Sequence, residues 1–179
     1  MKGNPNTRNR LLDAAAGIVA QSGAGNLTID AVAESAGLSK GGVLYHFPSK
    51  RDLLQGMLER LLEEFQSRTA ALTAEGQPSL LHAHIESVLH RPAGEQAASL
   101  AVLANAAEDP SLLEPARELL IERTEQILAE AKDPVQALIV FLASEGIRFL
   151  EVMNLLPLEA DLLERVGSRL ATMAEESSR

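Results

Sequence analysis

Four prolines decide how the second half of this 179-residue chain can fold. They stand in Arg91-Pro92, Asp109-Pro110, Asp133-Pro134 and Leu156-Pro157, between stretches rich in Ala, Leu and Glu. Proline has no N–H and a fixed φ, so a helix interior rejects it while the first helical position accepts it. The intervening stretches therefore predict helices over about 78–90, 95–107, 111–131, 134–153 and 157–175, with each proline placed to open one. Strands are disfavoured, because aromatic residues are only 3% of the chain and strict alternation of apolar and polar positions is missing.

The first half reads as four more helices. One spans about 7–21, with Leu11, Leu12, Ala15, Ile18 and Val19 on one face and Gly23 and Gly25 ending it. Thr28 caps a short helix over about 29–36, and Ser39 caps another over about 39–46. Pro48 breaks the chain, and Ser49 caps a long helix over about 50–73. The expectation is an all-α protein of about nine helices. Residues 1–51 would form a three-helix head, and residues 52–179 a separate helical body.

Composition narrows the function classes. Cysteine is absent, which removes disulfides and thiolate metal sites and suits a reducing compartment. No apolar run of about 18 residues suggests a membrane span. "MKGNPNTRNR" runs into a helical pattern rather than an apolar signal core, so a cytoplasmic location is expected. The net charge of −9 is unevenly spread. Residues 1–51 hold Lys2, Arg8, Arg10, Lys40, Lys50 and Arg51 against Asp13, Asp30 and Glu34, a net of +3, which leaves −12 on the remainder. That asymmetry fits a small head able to meet a polyanion and a body that repels one.

The stretch "LSKGGVLYHFPSKRDLL", residues 38–54, carries the strongest signal. Two short helices joined by a turn at Gly37 make a helix-turn-helix pattern, in which the second helix enters the DNA major groove. Gly41 and Gly42 weaken that helix by up to roughly 2 kcal/mol relative to alanine. In exchange they strip the backbone bare where base edges would approach. Ser39 and Lys40 stand at its exposed start, and Leu38, Leu44 and Phe47 are expected to pack inward. Tyr45 and His46 suit phosphates or base edges. The helix starts at Thr28, Ser39 and Ser49 offer free N–H groups, with Lys50 beside them.

Residues 28–54, "TIDAVAESAGLSKGGVLYHFPSKRDLL", resemble the DNA-binding head of the TetR family of bacterial transcriptional regulators. The resemblance is strong over about 7–54 and only architectural beyond about residue 75. It implies an all-helical homodimer, a ligand-responsive C-terminal domain and a palindromic operator in double-stranded DNA, with repression as the usual outcome. By similarity, Thr28, Tyr45 and Lys50 would hold phosphates, and Lys40, Gly41, Gly42, Val43 and His46 would face the bases. With glycine at both 41 and 42, direct readout falls to Lys40, His46 and a Val43 contact with a thymine methyl, helped by DNA deformability.

In the body, Leu158, Leu162, Val166 and Leu170 mark one face of the last helix, and the helix over 134–153, with Phe141 and Phe149, is apolar nearly all round. Such helices need burial on more than one side, so these six residues are expected to build a self-complementary dimer interface. A cavity among the middle helices, with Met57, His84, Asn105 and Met153 as candidate contacts, would admit an apolar or amphipathic effector. His82, Glu86 and His90 follow i, i+4, i+8 spacing and read as a solvated face rather than a metal site. No cofactor is called for. No nucleophile–base pair or phosphate-cradling loop appears, which argues against an enzyme. The competing readings are a helical small-molecule binding protein and an activator using the same head.

Overall fold

The computed structural model describes residues 5–76, 78–92 and 94–178. Among these residues there are nine α-helices, two 3-10 turns and no strand, so the chain is all-α. The helices are α1 (Pro5–Ser22), α2 (Ile29–Ala36), α3 (Lys40–His46), α4 (Lys50–Ala74) and α5 (Leu80–Leu89), then α6 (Glu95–Ala106), α7 (Glu114–Glu130), α8 (Pro134–Val152) and α9 (Ala160–Ser178). None is long and apolar enough to cross a membrane.

The α2–turn–α3 segment is set by local chemistry. The Thr28 side chain accepts a hydrogen bond from the Ala31 N–H at 3.1 Å, and Ser39 accepts from the Gly42 N–H at 3.1 Å. Each satisfies a donor that the first helical turn leaves open. At the end of α2, Gly37 takes a left-handed φ of 64°, and Leu38 N–H returns to Ala33 C=O at 2.9 Å. Only glycine adopts that conformation without a Cβ penalty. Ser49 begins α4 the same way, accepting from the Asp52 N–H at 3.1 Å.

The prolines act less uniformly than expected. Pro134 opens α8, with Asp133 capping Val135 and Gln136, and Pro110 opens a 3-10 turn (Pro110–Leu113) that delays α7 to Glu114. Pro92 and Pro157 instead stand in loops ahead of α6 and α9. A left-handed Asn154 and a Leu155 N–H to Leu150 C=O bond stop α8 before Pro157 is reached.

The chain divides into two compact units. Unit 1 holds residues 1–61 and 93–116, and unit 2 holds 62–92 and 117–179. The head is thus joined by α6, which packs on α1. In unit 1, Leu11, Leu12, Leu27, Val32, Val43, Leu53 and Met57 are fully buried. In unit 2, α5, α8 and α9 pack around Leu81, Ile85, Ala137, Val140, Phe141 and Ala174, with Ile127 of α7 joining them.

Two glycines hold helices close. A Cβ on Gly56 of α4 would lie 2.6 Å from the Phe47 ring and 3.2 Å from Arg8, whose guanidinium covers that ring at 5.4 Å and bonds Glu59 at 2.9 Å. In unit 2, a Cβ on Gly167 of α9 would collide with Leu89 of α5. Gly56→Ala is expected to destabilise the protein by about 1–2 kcal/mol, since overpacking outweighs the gain in helix propensity. Thermal melts that show an unchanged or raised Tm would contradict this.

Candidate nucleic-acid interface and a buried polar cluster

The start of α3 is open to solvent. Ser39, Lys40 and Gly41 are exposed, Tyr45 keeps 61% of its surface, and His46 and Lys50 are half-buried. The Tyr45 and His46 rings meet edge to face at 5.2 Å. A Cβ on Gly41 would find only Ser39 Oγ at 3.9 Å, and one on Gly42 would find Ser39 Oγ at 3.5 Å and Leu38 Cβ at 3.8 Å. These are ordinary contacts, and neither glycine has a positive φ. Nothing inside the fold demands glycine here.

The cations of the head are unequal. Arg8 is taken up by Glu59. Arg51 donates to Asp109 at 2.7 Å and to Ser111 at 3.0 Å, and Arg10 donates to the Ala36 carbonyl at 3.1 Å. Lys40 lies 2.9 Å from Asp30, but both side chains are solvated, so the pair stabilises little and a stronger anion can displace it. Lys50 makes no hydrogen bond or ion pair with a described residue. The Thr28 oxygen caps α2, while its hydroxyl proton is left for an outside acceptor.

Two expectations on α3 are corrected. Val43 is fully buried and cannot face a base, whereas Leu44, expected inside, keeps 36% of its surface. The helical period explains the exchange. Phe47 is the buried anchor; Val43, four residues before it, lies about 40° round the helix from it, while Leu44, three residues before, lies about 60° round on the opposite side, towards solvent.

The dimer candidates also separate. Phe141 and Leu170 belong to the core of unit 2 within one chain, so they are corrected to structural residues, and Val166 packs against that core. Leu158 is half-buried, while Phe149 and Leu162 are exposed. Along α8, Val135, Ile139, Leu142, Phe149 and Met153 form an outward apolar stripe, with Leu155 just beyond it. Their spacings of three, four and seven residues keep one helical face.

The four candidate effector contacts do not share a unit. Met57 is fully buried in the core of unit 1, and Asn105 of the same unit donates to the Ala101 carbonyl within α6 at 2.8 Å. His84 and Met153 lie in unit 2, with Met153 exposed at the end of α8. The stripe expected to be solvated is so only at His90, which approaches Glu86 at 3.1 Å; the His82 side chain is 13% exposed and approaches Glu175 at 3.5 Å.

His84 occupies a built polar cluster. It is 1% exposed, lies between the rings of Phe65 (5.3 Å) and Phe141 (4.9 Å), and places Nε2 3.0 Å from Glu145. Burial pushes the imidazole below its ordinary pKa against the opposing pull of Glu145, so His84 is neutral and its Nε2–H donates. For Glu145, burial alone would raise the pKa. The His84 hydrogen bond and the Arg148 charge outweigh it and hold the carboxyl at about 2. Arg148 donates through Nε at 3.0 Å and through a second nitrogen.

Comparison with known proteins decides the family. Residues 11–57 match the model for bacterial regulatory proteins of the tetR family, and residues 78–175 match the tetracyclin repressor-like C-terminal domain. The chain belongs to the TetR family. It is 35% identical over 72 residues to the HTH-type transcriptional regulator CymR of Pseudomonas putida, a stretch that is 40% of this chain and 36% of CymR. It is 38% identical over 52 residues to SrpR of the same species, 29% of this chain and 24% of SrpR. These matches span well under half the length of either relative. Among solved structures, a TetR-family member from Streptomyces coelicolor A3 superposes with a TM-score of 0.72 at 25% identity, covering 93% of this chain and 98% of that one. The multidrug binding protein EbrR complexed with ethidium gives 0.65 at 26% identity, covering 93% and 99%.

Within this TetR-family chain, sequence reasoning missed Gly56 and the burial of Arg123. It reads Arg148 between Glu145 and Glu151 as surface ion pairing, which is corrected: the Glu145 side chain is only 16% exposed and is held by His84. Gly56 has no sequence cue, because its constraint is a ring brought from outside its helix. Glu145 is visible in hindsight as the acid one turn from both Phe141 and Arg148 on an apolar helix.

Proposed function

We propose that this TetR-family protein is a dimeric, sequence-specific DNA-binding transcriptional regulator, a repressor released by a small effector. The observation that carries the reading is the open start of α3, where two glycines that the fold does not require leave bare backbone beside Lys40 and Tyr45. A glycine pair that costs helix stability with no internal benefit fits close approach by an outside surface.

In this reading Thr28, Ser39, Tyr45 and Lys50 hold phosphates, and Lys40, Gly41, Gly42 and His46 face the bases. Leu44, turned outward, replaces Val43 as the apolar group for a thymine methyl. Residues 1–51 act as the DNA-binding domain, and 52–179 bind the effector and dimerise. The α8 stripe, with Leu162 of α9, supports a symmetric pairing, since a palindromic operator needs two heads about 34–36 Å apart. Helices α4 and α7 each begin in unit 1 and end in unit 2, so both can carry a change between the units. The effector must prefer the state whose head spacing no longer matches DNA. EbrR, solved with ethidium, supports a small molecule as the signal.

Fluorescence anisotropy on duplexes from the DNA upstream of the gene tests this. The wild-type protein should form a salt-sensitive specific complex, with Lys40→Ala and Tyr45→Phe each weakening it at least threefold. Ile139→Glu should give a monomer in sedimentation and lose the complex. The absence of any specific complex, or one indifferent to all three changes, would sink the proposal.

A further inference from the structure

Unit 2 largely buries a cation that no hydrogen bond or salt bridge from a described residue meets. Arg123 on α7 keeps only 8% of its surface, makes no hydrogen bond or salt bridge to any described residue, and has an unsatisfied Nε. Its neighbours in sequence do not rescue it. Burial holds the guanidinium below its ordinary pKa, and the charges of Glu122 and Glu130 offset that only in part. A buried charge without a partner is costly, and such groups are normally paired.

The position of Arg123 gives the charge a direction. Ile127 stands one helical turn further along the same face of α7 and packs with Leu81 and Ile85 of α5 and Phe141 of α8. Arg123 therefore lies on the face of α7 that meets the layer holding His84, and its charge is felt there. His84 has an orphan of its own. Its Nε2–H is spent on Glu145, which leaves Nδ1 as a buried acceptor with no donor. Glu145 already has His84 and Arg148, so the cluster has no spare negative charge for Arg123. Two adjacent elements thus lack an anion and a hydrogen-bond donor, and the flanking surfaces are the rings of Phe65 and Phe141.

We infer that the effector site of unit 2 takes an amphipathic carboxylate bearing a hydroxyl or N–H group, with its carboxylate on Arg123, its donor on His84 Nδ1 and its apolar body against Phe65 and Phe141. This rests on the effector-responsive reading above and adds the chemical class. It sets the protein apart from EbrR, whose solved ligand ethidium is a cation.

The test uses the full-length protein, with 4-hydroxybenzoate, benzoate and 10-hydroxydecanoate as probes, and benzyl alcohol and ethidium as controls. Calorimetry and thermal shift should show a hydroxylated carboxylate binding, with Tm raised by roughly 5 °C at a hundredfold excess over Kd, and benzoate binding more weakly. Arg123→Met should melt no lower than wild type, because it removes an unpaired buried charge, and should lose carboxylate binding at least tenfold. His84→Phe should bind benzoate and 4-hydroxybenzoate alike. If wild type ignores every carboxylate, or binds only ethidium, or if Arg123→Met binds carboxylates as wild type does, the inference is overturned. A marked fall in the Tm of Arg123→Met would show that its partner is part of the fold, and would overturn it equally. DNA binding is measured on the same preparation. Carboxylate binding without a DNA complex would sink the regulator proposal alone, and a DNA complex without carboxylate binding would sink this one alone.

Discussion

The double variant Gly41→Ala/Gly42→Ala is expected to melt higher than the wild type and to bind its operator at least thirtyfold more weakly. Both halves follow from the same geometry. The methyl groups meet nothing nearer than 3.5 Å within the protein, and neither position needs a positive φ. Alanine therefore keeps its propensity advantage, up to roughly 2 kcal/mol for the pair. Outside the protein, the methyls stand where the duplex is proposed to come closest. A loss of about 2 kcal/mol in binding corresponds to that thirtyfold. Differential scanning fluorimetry and anisotropy on one preparation read both numbers. Tighter or equal DNA binding by the stabilised variant would remove the reason offered for the glycine pair.

Glu145→Ala should be the most destabilising single change in unit 2, at about 3 kcal/mol, lowering Tm by roughly 6–12 °C. It leaves the buried His84 Nε2–H without its acceptor and releases Arg148. Glu145→Gln retains an acceptor for His84 and should cost less than half as much. The pH dependence has a defined sign. His84 has a folded pKa below its ordinary 6.5, so the unfolded chain takes up a proton that the folded one refuses, and stability falls as pH drops below about 6.5. Glu145, held at about 2 against an ordinary 4.5, contributes fully above 4.5 and loses its contribution as pH falls towards 2. Glu145→Gln should abolish the lower of these two stages. Urea titrations between pH 3 and 8 that show no decline below 6.5, or a Glu145→Ala protein as stable as wild type, would refute the assignment.

The legible part of this protein was local. Thr28, Ser39 and Ser49 cap the helices that their side-chain oxygens predict, and Gly37 takes the left-handed turn its position implies. These outcomes depend on atoms within four residues of each other. The inward and outward faces of α3 are decided one step further out. Val43 and Leu44 are both apolar and adjacent, and only Phe47, anchored against Gly56 of α4, settles which of them turns inward. From sequence, Phe141 and Leu170 read as a dimer surface for a similar reason. A helix apolar on two faces announces that both want burial without saying which one its own chain covers.

Thus capping, turn chemistry and apolar period determined by themselves an all-helical chain with a helix-turn-helix head, because each acts between neighbours in sequence. Only the tertiary structure decided that Met57 is core, that Arg51 is spent on Asp109, and that His84 and Glu145 bind each other while Arg123 finds no partner among the described residues. Those facts depend on groups tens of residues apart, and burial turns each missing or satisfied partner into free energy that no local pattern records.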